Sequence, residues 1–222
     1  LLAPRRQYVI YPRAVALAAH RFIARRGALR WFIHFNLAWG TMLAGAITFP
    51  LVFGWLHFET RLDDPSLYQV VFLGVTTLEF RTGAPIGFAM FNLLNVSAIM
   101  VTLGAVLSLA RRLRSEGAMA RQQFGNDILP LLLLLAISLT GLMLTFSMHC
   151  LQGAAYGVLS LIHALTVSVA LVYIPFGKFF HIFQRPAQIG VAAYRREDQA
   201  APPARCRDCG EGFAGARHVA AL

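Results

Sequence analysis

Ile128–Met148 reads ILPLLLLLAISLTGLMLTFSM, without a charged side chain. About 20 apolar residues in helical form cross the roughly 30 Å of bilayer hydrocarbon. In that medium a lone segment satisfies its backbone N–H and C=O groups only as a helix. Three more runs of the same character lie outward from it: Trp31–Leu56, Ile86–Ala110 and Tyr156–Phe183. Lys178 is the only charge inside any of the four. The reading is all-α, an integral membrane bundle of four transmembrane helices.

Composition agrees. Of 222 residues, 57% are hydrophobic and 14% charged, with mean hydropathy +0.59. Soluble domains carry about 25% charged residues. The net charge of +10 does not indicate nucleic acid, because the basic residues flank the apolar runs instead of forming a domain of their own.

The flanks also set orientation. Residues 1–30 hold seven Arg and no acid, while the 57–85 loop holds Arg61 and Arg81 against Glu59, Asp63, Asp64 and Glu79. The 111–127 loop holds four Arg, the 149–155 loop no charge, and the stretch from Lys178 onward seven basic residues. Under the positive-inside rule this alternation predicts both termini, and the 111–127 loop, in the cytoplasm. The expected location is the inner (cytoplasmic) membrane, multi-pass. The predicted divisions are a basic cytoplasmic N-terminal segment, 1–30, a four-helix transmembrane haem-binding domain, 31–183, and a cytoplasmic tail with a CxxC, 184–222. Pro186, Pro202 and Pro203 are expected to break helix in that tail, and residues 205–222 to form a poorly ordered element. Ser66–Phe80 is too short to span and reads as an interfacial helix, a re-entrant lid or a plain capping loop. The first thirty residues, interrupted by Pro4 and Pro12, do not read as a secretory signal. The chain opens on Leu1, which leaves room for residues ahead of it.

Histidine supplies the chemistry. His34, His163 and His181 fall inside predicted spans, where an ionisable group is costly and marks a functional candidate. Neutral imidazole is an axial haem ligand; the plain alternative is a helix-to-helix hydrogen bond. Eighteen residues separate His163 from His181, five turns of one helix and roughly 27 Å. His34 near the start of the first span and His181 near the end of the fourth are expected at one depth, as bis-His ligation of a haem b requires. Lys178 and Arg185 flank His181 and suit propionates, although topology alone also explains them. Asn92 and Asn95 share a helix face in the outer half and, with His163, form a candidate quinone site; helix bridging is the alternative.

Three segments carry a family resemblance: RRGALRWFIHFNLAWG (25–40), ARRLRSEGAMARQQFGNDILPLLLLLAISLTGLMLTF (110–146) and LIHALTVSVALVYIPFGKFFHIFQRPAQIGV (161–191). Over about residues 25–195 the chain resembles the gamma subunit of respiratory nitrate reductase and its relatives in heterodisulfide-reductase-like membrane complexes. The resemblance implies an inner haem ligated at the positions of His34 and His181. It implies an outer haem at His163, but its second ligand position is Ala44 here, and His57, His149, Met100, Met143 and Met148 are weak substitutes. The family's first helix has no counterpart.

Cys206 and Cys209 form a CxxC, half of a zinc or iron–sulfur set, with His218 the one further candidate ligand; an unliganded tail is the alternative. Cys150 stands alone. The expected function is a cytochrome b-type membrane anchor, the electron-transfer subunit of an oxidoreductase complex. It would work between the quinone pool and a cytoplasmic-side iron–sulfur or catalytic partner, against lipid and without nucleic acid. Eighteen of the 20 basic residues lie on the predicted cytoplasmic side, a candidate docking face for an acidic partner or anionic lipid. The alternative class is a haem-free anchor or transporter-like protein.

Overall fold

The structure is a computed structural model that describes residues 15, 18–114, 123–200, 203–215 and 219. The chain divides into two compact units, residues 26–178 and residues 1–25 with 179–222.

The first unit holds four helices: α1 (Ala28–Val52), α2 (Pro85–Leu113), α3 (Leu129–Cys150) and α4 (Tyr156–Tyr173). All four are long and apolar enough to cross a membrane, the third counted from Phe124 and the fourth to Phe176. Each packs on the next in chain order. Among the described residues, α1 and α4 share no extended contact. Burial follows: 28% of the α2 window is enclosed but only 11% of α1 and 6% of α4, so the outer two helices leave most of their surface to lipid.

Lipid tails are as apolar as Leu, so helices in a bilayer associate through close packing at small residues. The α1–α2 contact is built this way. Ser97, Val101, Gly104, Ala105 and Ser108 form the buried stripe of α2, against Ile33, Asn36 and Gly40 of α1. A Cβ on Gly40 would sit 2.8 Å from Val101 Cγ2, and one on Gly104 2.8 Å from Leu37 Cγ. The glycines are therefore reciprocal: each lets the other helix's backbone in. At one end Arg112 pairs with Asp127 at 3.7 Å. Asp127 lies in a single π-type turn, Phe124–Ile128, that leads into α3.

The segment expected as an interfacial helix, lid or capping loop is instead part of an antiparallel sheet: β1 (Leu56–Thr60), β2 (Leu67–Phe72) and β3 (Val75–Arg81). Val70, Val71, Val75, Thr76 and Thr77 are β-branched and favour a pleated surface. Leu73 and Gly74 take φ of +51° and +81°, the paired positive φ of a two-residue type I′ hairpin turn. Phe58, Tyr68 and Phe80 from the three strands gather around Phe91 of α2, with ring centroids of 5.3–5.7 Å to Phe91. Gly87 lets the end of β3 approach α2, since a Cβ there would collide with the Arg81 carbonyl.

The fourth span ends earlier than expected. After α4 the backbone tightens into two short 3₁₀ turns, Ile174–Phe176 and Lys178–Phe180, and α5 (His181–Ala200) begins afterwards. Pro175 has no N–H and obstructs the carbonyl four residues back. The Tyr173 hydroxyl leaves the helix to donate to the Gly125 carbonyl. A Cβ on Gly177 would collide with the Tyr173 ring. The expected continuous span Tyr156–Phe183 is thus corrected to one ending at Phe176. The five-turn count placing His163 and His181 on one face does not apply across the break.

In the second unit α5 runs through Pro186, so that proline does not end the helix as expected. Within the stretch expected to be poorly ordered lies part of a hairpin of β4 (Pro203–Arg205) and β5 (Gly212–Gly215).

Candidate functional site

His34 lies on α1, about 9 Å along the axis from its start at Ala28, and is half-buried. It is about 100° around the helix from Ile33, off the α2-facing stripe. Thr41, seven residues on, shares its face. The Thr41 hydroxyl is buried and finds no hydrogen-bond partner among the described residues. A helical Thr ordinarily bonds the carbonyl four residues back, so this hydroxyl is turned away from its backbone. Thr102 of α2 is in the same condition.

One turn below His34 is Arg30, within electrostatic range of Arg111, which is likewise close to Arg112. Arg30 and Arg111 thus bring positive charge from α1 and α2 to this end of the pair, with Arg112 next in sequence. Arg112 Nε is buried and without an acceptor among the described residues, although its Nη1 faces Asp127. A buried cationic N–H without an acceptor is costly, and the cluster suits an anionic group such as a carboxylate or phosphate.

His163 is half-buried on α4 and faces α3. Its Nδ1 is 2.8 Å from Thr140 Oγ1. Thr140 also lies 2.7 Å from the Ala136 carbonyl and 3.1 Å from that of Ile137. Carbonyls only accept, so the single hydroxyl proton goes to them and Thr140 receives the Nδ1–H. Nε2 is then the nitrogen with the lone pair. Gly141 makes room for the ring, since a Cβ there would stand 3.4 Å from His163 Cε1.

Asn92 and Asn95 come together. The Asn95 amide donates to Asn92 Oδ1 at 3.1 Å, the Asn92 amide to the Phe88 carbonyl at 2.9 Å, and Thr145 donates to Asn95 Oδ1 at 2.8 Å. This network ties α2 to α3. Thr140 and Thr145 are five residues apart, about 140° around α3, so the asparagines and His163 occupy different faces of that helix.

Ala44 is half-buried on α1 and has no ligating atom. His181 is the first residue of α5 in the second unit. The side chains of Lys178 and Arg185, and residue His218, lie outside the described residues. His57 pairs with Glu59 at 3.2 Å in β1. His20, not singled out above, is buried before α1; burial holds its pKa below the usual imidazole range, against a backbone hydrogen bond with Ala18. Thr41, Thr140 and Thr145 were also missed. Threonine in an apolar span was the available signal, but the partners sit on other helices.

Cys206 and Cys209 lie on the turn between β4 and β5. The backbone N–H groups of Cys209 and then Asp208, followed by the Cys209 side chain, bond the Cys206 sulfur and hold its pKa below the usual thiol value. Among the described residues no group of three or more His, Cys, Asp or Glu is gathered for a metal.

The chain matches no protein-family model, no curated protein and no solved structure.

Proposed function

We propose that this chain is a cytochrome b-type membrane subunit that carries electrons between quinone and a cytoplasmic-side iron–sulfur or catalytic partner. One observation carries the reading: an imidazole inside a span, His34, one turn from Arg30, whose charge is felt by Arg111 across the α1–α2 pair. A haem with ionised propionates would draw on both, the imidazole for its iron and the cationic side chains for its carboxylates. The buried Arg112 Nε and the unpartnered Thr41 hydroxyl fit such a group, because each has capacity that the protein leaves unused. His34 would hold haem b, which supplies one-electron redox chemistry when bound. Arg30, Arg111 and Arg112 would neutralise its carboxylates, and apolar α1 surface would exclude water. His163 offers Nε2 as an acceptor for a quinol hydroxyl, held in that tautomer by Thr140. Asn92 and Asn95 would contribute to a quinone site only by exchanging their bonds to each other and to Thr145. The positive-inside pattern puts both termini in the cytoplasm in this reading, and the exposed Arg114 would belong to the partner-facing side.

The test is ligand replacement in purified protein. His34→Ala should remove the haem spectrum while the helical content stays. A full spectrum in that variant would refute the assignment. A purified wild-type chain without haem would leave the haem-free anchor standing.

A further inference from the structure

The β4–β5 hairpin is more than a turn carrying two cysteines. Cys206 N–H donates to the Glu211 carbonyl at 2.8 Å, and Gly210 N–H returns to the Cys206 carbonyl at 3.0 Å. The loop is therefore closed from both sides around the Cys-Arg-Asp-Cys segment. Gly210 takes φ of +73°, a left-handed conformation that glycine enters without strain. Gly212 brings β5 against Pro203, where a Cβ would stand 3.2 Å from the proline ring.

This backbone aims two N–H groups, from Asp208 and Cys209, at the Cys206 sulfur and places the Cys209 side chain in hydrogen-bond contact with it. N–H groups directed at sulfur match a bound thiolate, which keeps lone pairs for such bonds while ligating a metal. Zinc bonds sulfur at about 2.3 Å in a tetrahedron, which sets neighbouring sulfurs about 3.8 Å apart. Cys206 and Cys209 leave the same short turn, three residues apart, closed by the Cys206–Glu211 and Gly210–Cys206 bonds. Cys206 is half-buried and Cys209 exposed, so an ion can reach both.

We infer that Cys206 and Cys209 are a preformed two-thiolate site for a thiophilic, tetrahedral metal ion, zinc under physiological conditions, with the remaining ligands supplied from outside the hairpin. The inference is independent of the haem reading. Soft thiolate donors on a constrained loop select zinc over magnesium or calcium.

The test uses full-length protein in detergent, reduced and metal-free, titrated with Co²⁺ as a spectroscopic probe and back-titrated with Zn²⁺. The expected result is a thiolate-to-cobalt charge-transfer band with at least two sulfurs per bound ion, bleached by zinc. Cys206→Ser and Cys209→Ser should each abolish tight binding, and Cys150→Ser should not. Cys209→His keeps a ligand but removes a thiolate, so binding should persist with a weaker sulfur band; this separates loss of a ligand from loss of the hairpin. Gly210→Val should weaken cobalt binding about tenfold through the left-handed penalty. The inference is overturned if no sulfur band forms, or if the Cys206→Ser/Cys209→Ser double variant binds cobalt as wild type does.

Discussion

Replacing Gly104 by alanine tests the close crossing of α1 and α2 directly. The added Cβ would lie 2.8 Å from Leu37 Cγ and 3.1 Å from both the Ile33 carbonyl and the Leu37 nitrogen. Carbon atoms are comfortable at about 3.5–4.0 Å, so the helices must part locally by about 0.7–1.2 Å. Two of the three contacts are backbone and cannot turn aside. Overpacking of this kind costs about 1–3 kcal/mol, against a gain of up to about 1 kcal/mol from replacing a helical glycine. A net loss of about 1–2 kcal/mol is expected. Gly40→Ala should behave alike, since its Cβ would meet Val101 Cγ2 at 2.8 Å and the Ser97 carbonyl at 3.0 Å. Both changes act on one helix separation, so the double variant should cost less than the sum. Gly45→Ala is the control on the same helix: its Cβ would approach only the Phe49 ring, at 3.9 Å, and should be neutral or slightly stabilising. Reversible unfolding in mixed detergent micelles reads all four variants. If Gly104→Ala were as stable as Gly45→Ala, the reciprocal glycine crossing would be wrong.

Three further predictions follow from other contacts. Thr140→Val removes one of the two hydrogen-bond partners of His163, leaving the Ile137 backbone, and should cost about 1 kcal/mol, while Thr140→Ser should recover most of it; nitrogen NMR of the imidazole should report the Nδ1–H form in wild type, and the Nε2–H form there would contradict the assignment. Gly87→Ala pushes the end of β3 off α2 through the Arg81 carbonyl, so hydrogen exchange in Leu67–Arg81 should accelerate while the α3 core does not change; unchanged exchange in the sheet would count against the contact. Asp64 accepts from the Ser66 hydroxyl at 2.6 Å and from its N–H at 3.0 Å, and these bonds, ahead of Arg81 and Arg61, hold its pKa below the usual value. A depressed carboxylate contributes stability that is present above its unfolded pKa and lost as pH falls through its folded pKa, so sheet protection should decline below about pH 4; Ser66→Ala should move the Asp64 titration upward, and an unmoved titration would refute the cause given.

The four spans were legible because apolar length decides them: Ile128–Met148 could be nothing but a membrane helix, and its observed end at Cys150 differs by two residues. The end of the fourth was harder, since Ile174-Pro175-Phe176-Gly177 is apolar by count and only the proline–glycine spacing marks the break. The sheet at 56–81 was misread by asking only whether the segment could span. The β-branched run and Leu73-Gly74 between apolar stretches were signs of a hairpin. The CxxC was visible, but not the loop that aims it, because that depends on Gly210 and on pairing across the turn. Thr140 is 23 residues from His163, and only the packing of α3 on α4 brings them together. Arg30 acts on Arg111 through its charge, a pairing set by the α1–α2 crossing and invisible in local sequence.

The central claim is that this chain holds haem b. The measurement closest to it is a dithionite-reduced minus air-oxidised absorption spectrum of the purified full-length chain, made with haem supplied during expression. The expected result is the sharp α band of a b-type haem, lost in His34→Ala. A purified, helical wild-type protein that shows no such band would contradict it.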